Sequence, residues 1–217
     1  MMFIHKDPRS GIPAVHLENV FIKEDISAMI ENVKKNVPAQ AGEHMYAGKI
    51  TTKKEKRVST IRWFMDPGFE QALRGAIDIA NHVAGWKYDI VKPEMLQFTE
   101  YEPEGHYNWH TDGQCDHPSA RGWTDHDKPQ SLIETKDPLL LGTVRKISAS
   151  VILNEDYEGG EMQFREIDDH GDLKTTSIKP KTGSVLVFPS FVLHRVAPVT
   201  KGTRYSIVAW YGGPPFK

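Results

Sequence analysis

Residues Lys181 to Trp210 read KTGSVLVFPSFVLHRVAPVTKGTRYSIVAW, three short β-like runs cut apart by turn residues. The runs are Ser184 to Phe188, His194 to Val199 and Arg204 to Trp210; Pro180 to Gly183 and Thr200 to Thr203 punctuate them. The same texture extends back to about residue 94, through Met95 to Tyr101, Tyr107 to Asp112, Lys146 to Leu153 and Glu161 to Phe164. Upstream the period changes. Ile26, Met29, Ile30, Val33 and Val37 recur at helical spacing after Glu24 and Asp25. A second helix is predicted with Asp66 as cap, Pro67 at the first position, a stripe of Phe69, Leu73, Ile77 and Ala80, and Gly85 at its end. Helices followed by about seven strands predict a mainly β domain, an antiparallel sandwich or barrel with helices packed outside one sheet. A single domain over 1–217 is expected, with a helix-containing part at about 1–93 and a β core at about 94–217.

Composition narrows the partners. The 217 residues carry 27 basic and 29 acidic side chains, a net charge of -2, which supplies no field to gather nucleic acid. Four basic residues, Lys53, Lys54, Lys56 and Arg57, surround Glu55 and read as a solvated face. No apolar run approaches the roughly 20 residues that cross a bilayer, so no membrane partner is expected. One cysteine, Cys115, and a start without a secretory pattern predict a reducing, cytoplasmic setting. Gly113 to Val144 is a long, mostly polar stretch without periodicity, the usual signature of a functional loop.

His-x-Asp pairs are cheap: about 0.6 are expected by chance at this composition, and three occur. His5/Asp7 sits at the N-terminus and His170/Asp172 in a polar hairpin tip, so both read as surface residues. His110/Asp112 ends a strand-like run, where residues two apart share a face. His194 follows an apolar strand; alone it would read as structural, but Arg204 comes ten positions on, across a turn, with Ser206 on the same face. Two imidazoles and one carboxylate on one side of an octahedral ion leave three adjacent positions, the arrangement of non-haem Fe(II) oxygenases. A 2-oxo acid occupies two of them and dioxygen the third. The remote carboxylate of such an acid requires a cation, which Arg204 offers as a planar fork, with Ser206 or Tyr101 as a further donor.

At these residues the chain resembles the prolyl 4-hydroxylase-like branch of the iron(II) and 2-oxoglutarate dependent dioxygenases. The stretches that carry the likeness are LQFTEYEPEGHYNWHTD (Leu96 to Asp112), RKISASVILNEDYEGGEMQF (Arg145 to Phe164) and the segment quoted first. The resemblance implies a double-stranded β-helix of the jelly-roll kind. It implies iron on His110, Asp112 and His194, 2-oxoglutarate anchored by Arg204, Tyr101 lining the co-substrate pocket, and Tyr107 and Trp109 flanking the first ligand. The implied reaction uses Fe(II), 2-oxoglutarate and O2, releases succinate and carbon dioxide, and hydroxylates an unactivated C–H bond of a prolyl or other amino-acid-derived substrate. Because Asp112 is intact, halogenation is not implied.

The substrate, a peptide or a small molecule, is expected at the 113–144 loop, where Arg121, Trp123, His117 and His126 are the candidate contacts. Two other readings stay open on the residues alone: a zinc hydrolase using the same three ligands, and a non-catalytic jelly-roll binding module with structural histidines. Arg204 is unexplained by the first, and the second treats the convergence as coincidence.

Overall fold

A computed structural model describes residues 2–7, 11–42, 44–46, 49–51, 54–113, 120–123, 133–167 and 170–216. Lys53, Cys115, His117 and His126, and the side chains of His5, Asp7 and Trp123, lie outside the described residues.

Most of the strands form two antiparallel sheets laid face to face, with three two-stranded pairs beside them. The larger runs in the order Met2–Asp7, Gly11–Leu17, Val185–Pro189, Val144–Ile152, Arg204–Gly213, Leu96–Tyr101, Thr60–Phe64, Gln40–Ala41, with Lys92–Pro93 beside Arg204–Gly213. The smaller runs Leu173–Ile178, Met162–Ile167, His194–Val196, His106–His110, Arg57–Val58. Successive strands in space come from distant parts of the chain, as in a double-stranded β-helix, or jelly roll.

Two helices cover the outer face of the large sheet. The first, α1, spans Lys23–Asn36, with Glu24 and Asp25 in its first turn and Lys34 and Lys35 in its last, each favourable to the helix dipole. The second, α2, spans Pro67–Val83; the Asp66 carboxylate accepts from the Phe69 amide at 2.9 Å, and Pro67 sits where a missing N–H costs nothing. Gly85, at φ 70°, takes the left-handed turn that leads away. Both helices bury their stripes against the sheet: Ile26 and Val33 from α1, Phe69, Leu73, Ile77 and Ala80 from α2.

Strand alternation then divides the large sheet between two tasks. Ile147, Ala149 and Val151, with Val187, Phe98, Ile207 and Ala209, pack toward the helices. Their neighbours point between the sheets, where Tyr101, Leu186 and Phe188 meet Met162, Phe164 and Val196 of the small sheet. Both faces of the central strands are buried, which is why they read as near-continuous apolar runs.

The structure departs from the sequence reading at several places. Leu173–Ile178 is an additional strand, paired with Met162–Ile167, on a mostly exposed, polar run at a sheet edge. Inside the 113–144 stretch, Arg121–Trp123 and Ile133–Thr135 pair in parallel, so this stretch contains its own short ribbon. Met2–Asp7 is the edge strand of the large sheet, at a place where position in the chain alone suggests fraying. Arg57 is buried, contrary to its reading as part of a solvated face: it begins an edge strand that pairs with His106–His110. Lys54 and Lys56 beside it are exposed as expected.

Candidate metal centre

His110 is the last residue of its strand and His194 the first of its own, and the two stand opposite each other in the register of the small sheet. Each imidazole is aimed by the same device. His110 Nδ1 lies 2.7 Å from the Asn108 carbonyl and His194 Nδ1 lies 2.8 Å from the Val192 carbonyl, two residues back in both cases. A carbonyl only accepts, so Nδ1 carries the proton and the Nε2 lone pair faces inward, as a metal ligand must.

Asp112 arrives by a different route from the one its spacing suggests. The strand ends at His110, and Asp112 lies in the bend that follows, with a register irregularity between Tyr107 and His110. Its amide and that of Gly113 donate to the Ser190 carbonyl at 2.8 and 3.0 Å. Ser148 Oγ donates to Asp112 Oδ2 at 2.7 Å and is itself 3.0 Å from Ser190 Oγ. The carboxylate oxygens then stand 3.5 Å from His110 Nε2 and 3.5 Å from His194 Nε2, and one ligand atom from each residue falls within 4.8 Å of the others. At that separation the three donors can share one ion.

The electrostatics favour a cation. Burial alone would push the Asp112 carboxyl up, but His194, His110 and Arg145 hold it well below the ordinary carboxylate range. Burial, reinforced by His110 and opposed by Asp112, lowers His194 to about 4, so its imidazole is neutral near pH 7. An anionic carboxylate with a neutral, correctly oriented imidazole is a ligand pair ready for a divalent ion. Tyr107 stacks on His110 with ring centroids 3.5 Å apart; burial raises its hydroxyl to about 12, against the pull of Arg57.

The three candidate ligands open into a cavity between the sheets that also holds Arg204, Tyr101 and Ser206. Arg204 is 1% exposed, and its guanidinium lies 5.4 Å over the Tyr101 ring. Nη1 donates to Ser206 Oγ at 2.8 Å, while Nε is buried without a partner. Among the described residues no carboxylate forms an ion pair with it. A buried cation in that state invites an anionic ligand, since charge removed from water is costly unless paired. Arg57, missed as a site residue, lines the same cavity: Nη2 donates to Gln97 Oε1 at 2.7 Å and Nε to Ser59 Oγ at 2.8 Å. Trp109 faces away from the cavity, between the guanidiniums of Arg165 and Arg195. Arg121, read as a possible substrate contact, is buried and ion-paired with Glu94.

Residues 96–212 match the family model described as the 2OG-Fe(II) oxygenase superfamily, more than half of the chain. The chain belongs to the 2OG-Fe(II) oxygenase superfamily. Its cofactors are Fe(II) and 2-oxoglutarate, with O2 as the oxidant. Among relatives of this oxygenase, a PKHD-type hydroxylase of Crocosphaera subtropica is 32% identical over 117 residues, 53% of this chain and 41% of that protein. Human prolyl 3-hydroxylase 2 is 42% identical over 71 residues, 32% of this chain and 10% of that one. The chain spans less than half the length of these relatives. Among solved structures, a prolyl hydroxylase from Trichoplax adhaerens in complex with a hypoxia inducible factor peptide superposes with TM-score 0.64 at 16% identity, covering 92% of this chain and 83% of that one. The viral collagen prolyl hydroxylase of Paramecium Bursaria Chlorella virus-1 gives 0.58 at 19%, covering 94% and 97%. These likenesses establish the jelly-roll fold of the oxygenase. No helix among its described residues is long and apolar enough to cross a membrane.

Proposed function

We propose that this oxygenase is a hydroxylase that couples conversion of 2-oxoglutarate and O2 to succinate and CO2 with insertion of the second oxygen atom into a C–H bond of an amino-acid-derived substrate. His110, Asp112 and His194 hold the ferrous ion. When bound, that ion supplies the redox chemistry with dioxygen. Arg204 pairs with the distal carboxylate of 2-oxoglutarate, and Ser206 and Tyr101 shape its end of the cavity.

One observation carries this reading: a fully buried arginine without a carboxylate partner among the described residues shares a cavity with two histidines and a carboxylate. A zinc hydrolase needs the three ligands but gives Arg204 nothing to bind, and a binding module explains neither end. The substrate class rests on the relatives named as prolyl or PKHD-type hydroxylases and on the neighbour solved with a peptide. A peptidyl side chain, prolyl foremost, is therefore the substrate we assign, reached from the side of the 113–144 stretch.

The test is anaerobic addition of 2-oxoglutarate to the Fe(II)-loaded protein. A visible charge-transfer band that fails to form in His194→Ala supports the assignment; no band with the wild-type protein would overturn it. Admitting oxygen with a panel of peptides and free amino acids, and measuring succinate, then ranks the substrates.

A further inference from the structure

Glu94 precedes the strand Leu96–Tyr101 and lies outside the ligand set, yet it anchors two arginines. Its carboxylate takes a two-pronged pair from Arg145, from Nε at 2.6 Å and from Nη2 at 2.8 Å, and also accepts from Arg121 Nη2. The remaining edge of Arg145 turns toward the metal ligand: Nη1 is 3.3 Å from the main-chain carbonyl of Asp112. The Arg145 guanidinium lies over Trp210, 4.2 Å from the ring. Arg121 is held in turn by Thr143, through Nη1 to Oγ1 at 3.1 Å and through its amide to the carbonyl at 3.0 Å. A closed circuit results, running from Asp112 through Arg145 and Glu94 to Arg121 in the segment that follows Asp112.

The circuit matters because Arg145 stands beside two anions, Glu94 and Asp112. A guanidinium forms its strongest contact with a carboxylate in the forked geometry, and here Glu94 occupies the fork. Without it, Arg145 would be drawn to the Asp112 carboxylate, the group that must stay available to a metal. The two segments approach closely: a Cβ on Gly113 would stand 3.1 Å from Arg145 Cβ.

We propose that Glu94 is a positioning residue for the metal ligand Asp112. By occupying the fork of Arg145 it keeps that guanidinium on the Asp112 main-chain carbonyl and away from the Asp112 carboxylate, while Arg121 ties the pair to the segment beyond. The inference rests on the assignment of His110, Asp112 and His194 as ligands.

The experiment is a Co(II) titration of the full chain, followed by the visible d–d absorption of the ion. Glu94→Gln weakens Co(II) binding roughly tenfold to a hundredfold, the range seen when the partners that orient metal ligands are removed. Adding Arg145→Met to Glu94→Gln removes the competing cation and restores affinity to within about threefold of the wild type, as expected if the loss came from that one pair. A merely structural role predicts no such rescue. Unchanged affinity in Glu94→Gln, or a double variant no better than the single one, overturns the proposal. Should Glu94→Gln fail to fold, Glu94→Asp keeps the charge but draws the carboxylate back from Arg145 by one methylene, and the same loss and rescue are expected. Failure of the wild type to bind Co(II) in a manner abolished by His194→Ala would instead remove the ligand assignment itself.

Discussion

The two ends of the cavity are built by opposite means. At the metal end, each histidine is aimed by the carbonyl two residues before it, so its direction is a local property of a few consecutive residues. At the anion end, Arg204 is held from across the sheet: it stands opposite Tyr101 in register and is buried by strands far away in sequence. Local aiming gives ligands whose directions survive small shifts of the sheets. Non-local burial gives a cation whose strength depends on the whole interior closing around it.

The largest effect expected from breaking this arrangement is at the metal end. His194→Ala removes one of the three proposed ligands; succinate formation should fall by more than about a hundredfold, with Co(II) binding lost, since catalysis requires the ion. Succinate release and cobalt absorption are the measurements, and wild-type turnover in this variant would dismantle the ligand set. Arg204→Ala comes next. The loss of a buried, charge-assisted pair worth about 2–3 kcal/mol raises the 2-oxoglutarate requirement roughly thirtyfold to a hundredfold, while Co(II) affinity stays near that of the wild type. The split between the two readouts separates the ends of the cavity; a parallel loss of both would mean that the division between them is false.

Ser148→Ala has a smaller, mixed effect. Ser148 belongs to the large sheet but donates to Asp112, so it is where the non-local end supports the local one. Losing one hydrogen bond to a charged acceptor costs about 1–2 kcal/mol, and Co(II) affinity should fall by about fivefold to thirtyfold with the 2-oxoglutarate requirement unchanged. Equal affinity would show that the Ser190 carbonyl alone orients the bend at Asp112.

The difference between the ends also decides what is legible in the sequence. The Asp66 cap, the stripe of α2 and the apolar runs at Val185–Pro189 and Arg204–Gly213 are local patterns, and they can be read directly. His110, Asp112 and His194 stand out by type and spacing, although Asp112 reaches the site through a bend and not by strand alternation. Arg57 is misread because its chain neighbours Lys54, Glu55 and Lys56 are solvated, while one partner of its guanidinium, Gln97, is 40 positions away. The Glu94 circuit is hidden for the same reason: Glu94 belongs to no motif, and its two arginines lie 27 and 51 residues away. The strand Leu173–Ile178 lacks the alternation that marks a half-buried strand, because it lies on an exposed edge.

Ser206 offers the finest division of the anion end. Its hydroxyl accepts from Arg204 Nη1, so its contact is with the arginine, whereas the spacing suggests a donor to the co-substrate itself. A hydroxyl that accepts one hydrogen bond still has a proton to donate, and both roles are chemically open to the same atom. They differ in additivity. If Ser206 acts only by orienting Arg204, Ser206→Ala raises the 2-oxoglutarate requirement about twofold to fivefold, less than the loss of a direct charge-assisted contact, and adds nothing in the Arg204→Ala background. If it also donates to the carboxylate, the same substitution keeps a similar effect after Arg204 is gone. We expect the first outcome, because the Ser206 hydroxyl already accepts from Arg204 Nη1 at 2.8 Å, so its direct contact is with the guanidinium. A full effect of Ser206→Ala without Arg204 would move the hydroxyl from supporting the anchor to being part of it.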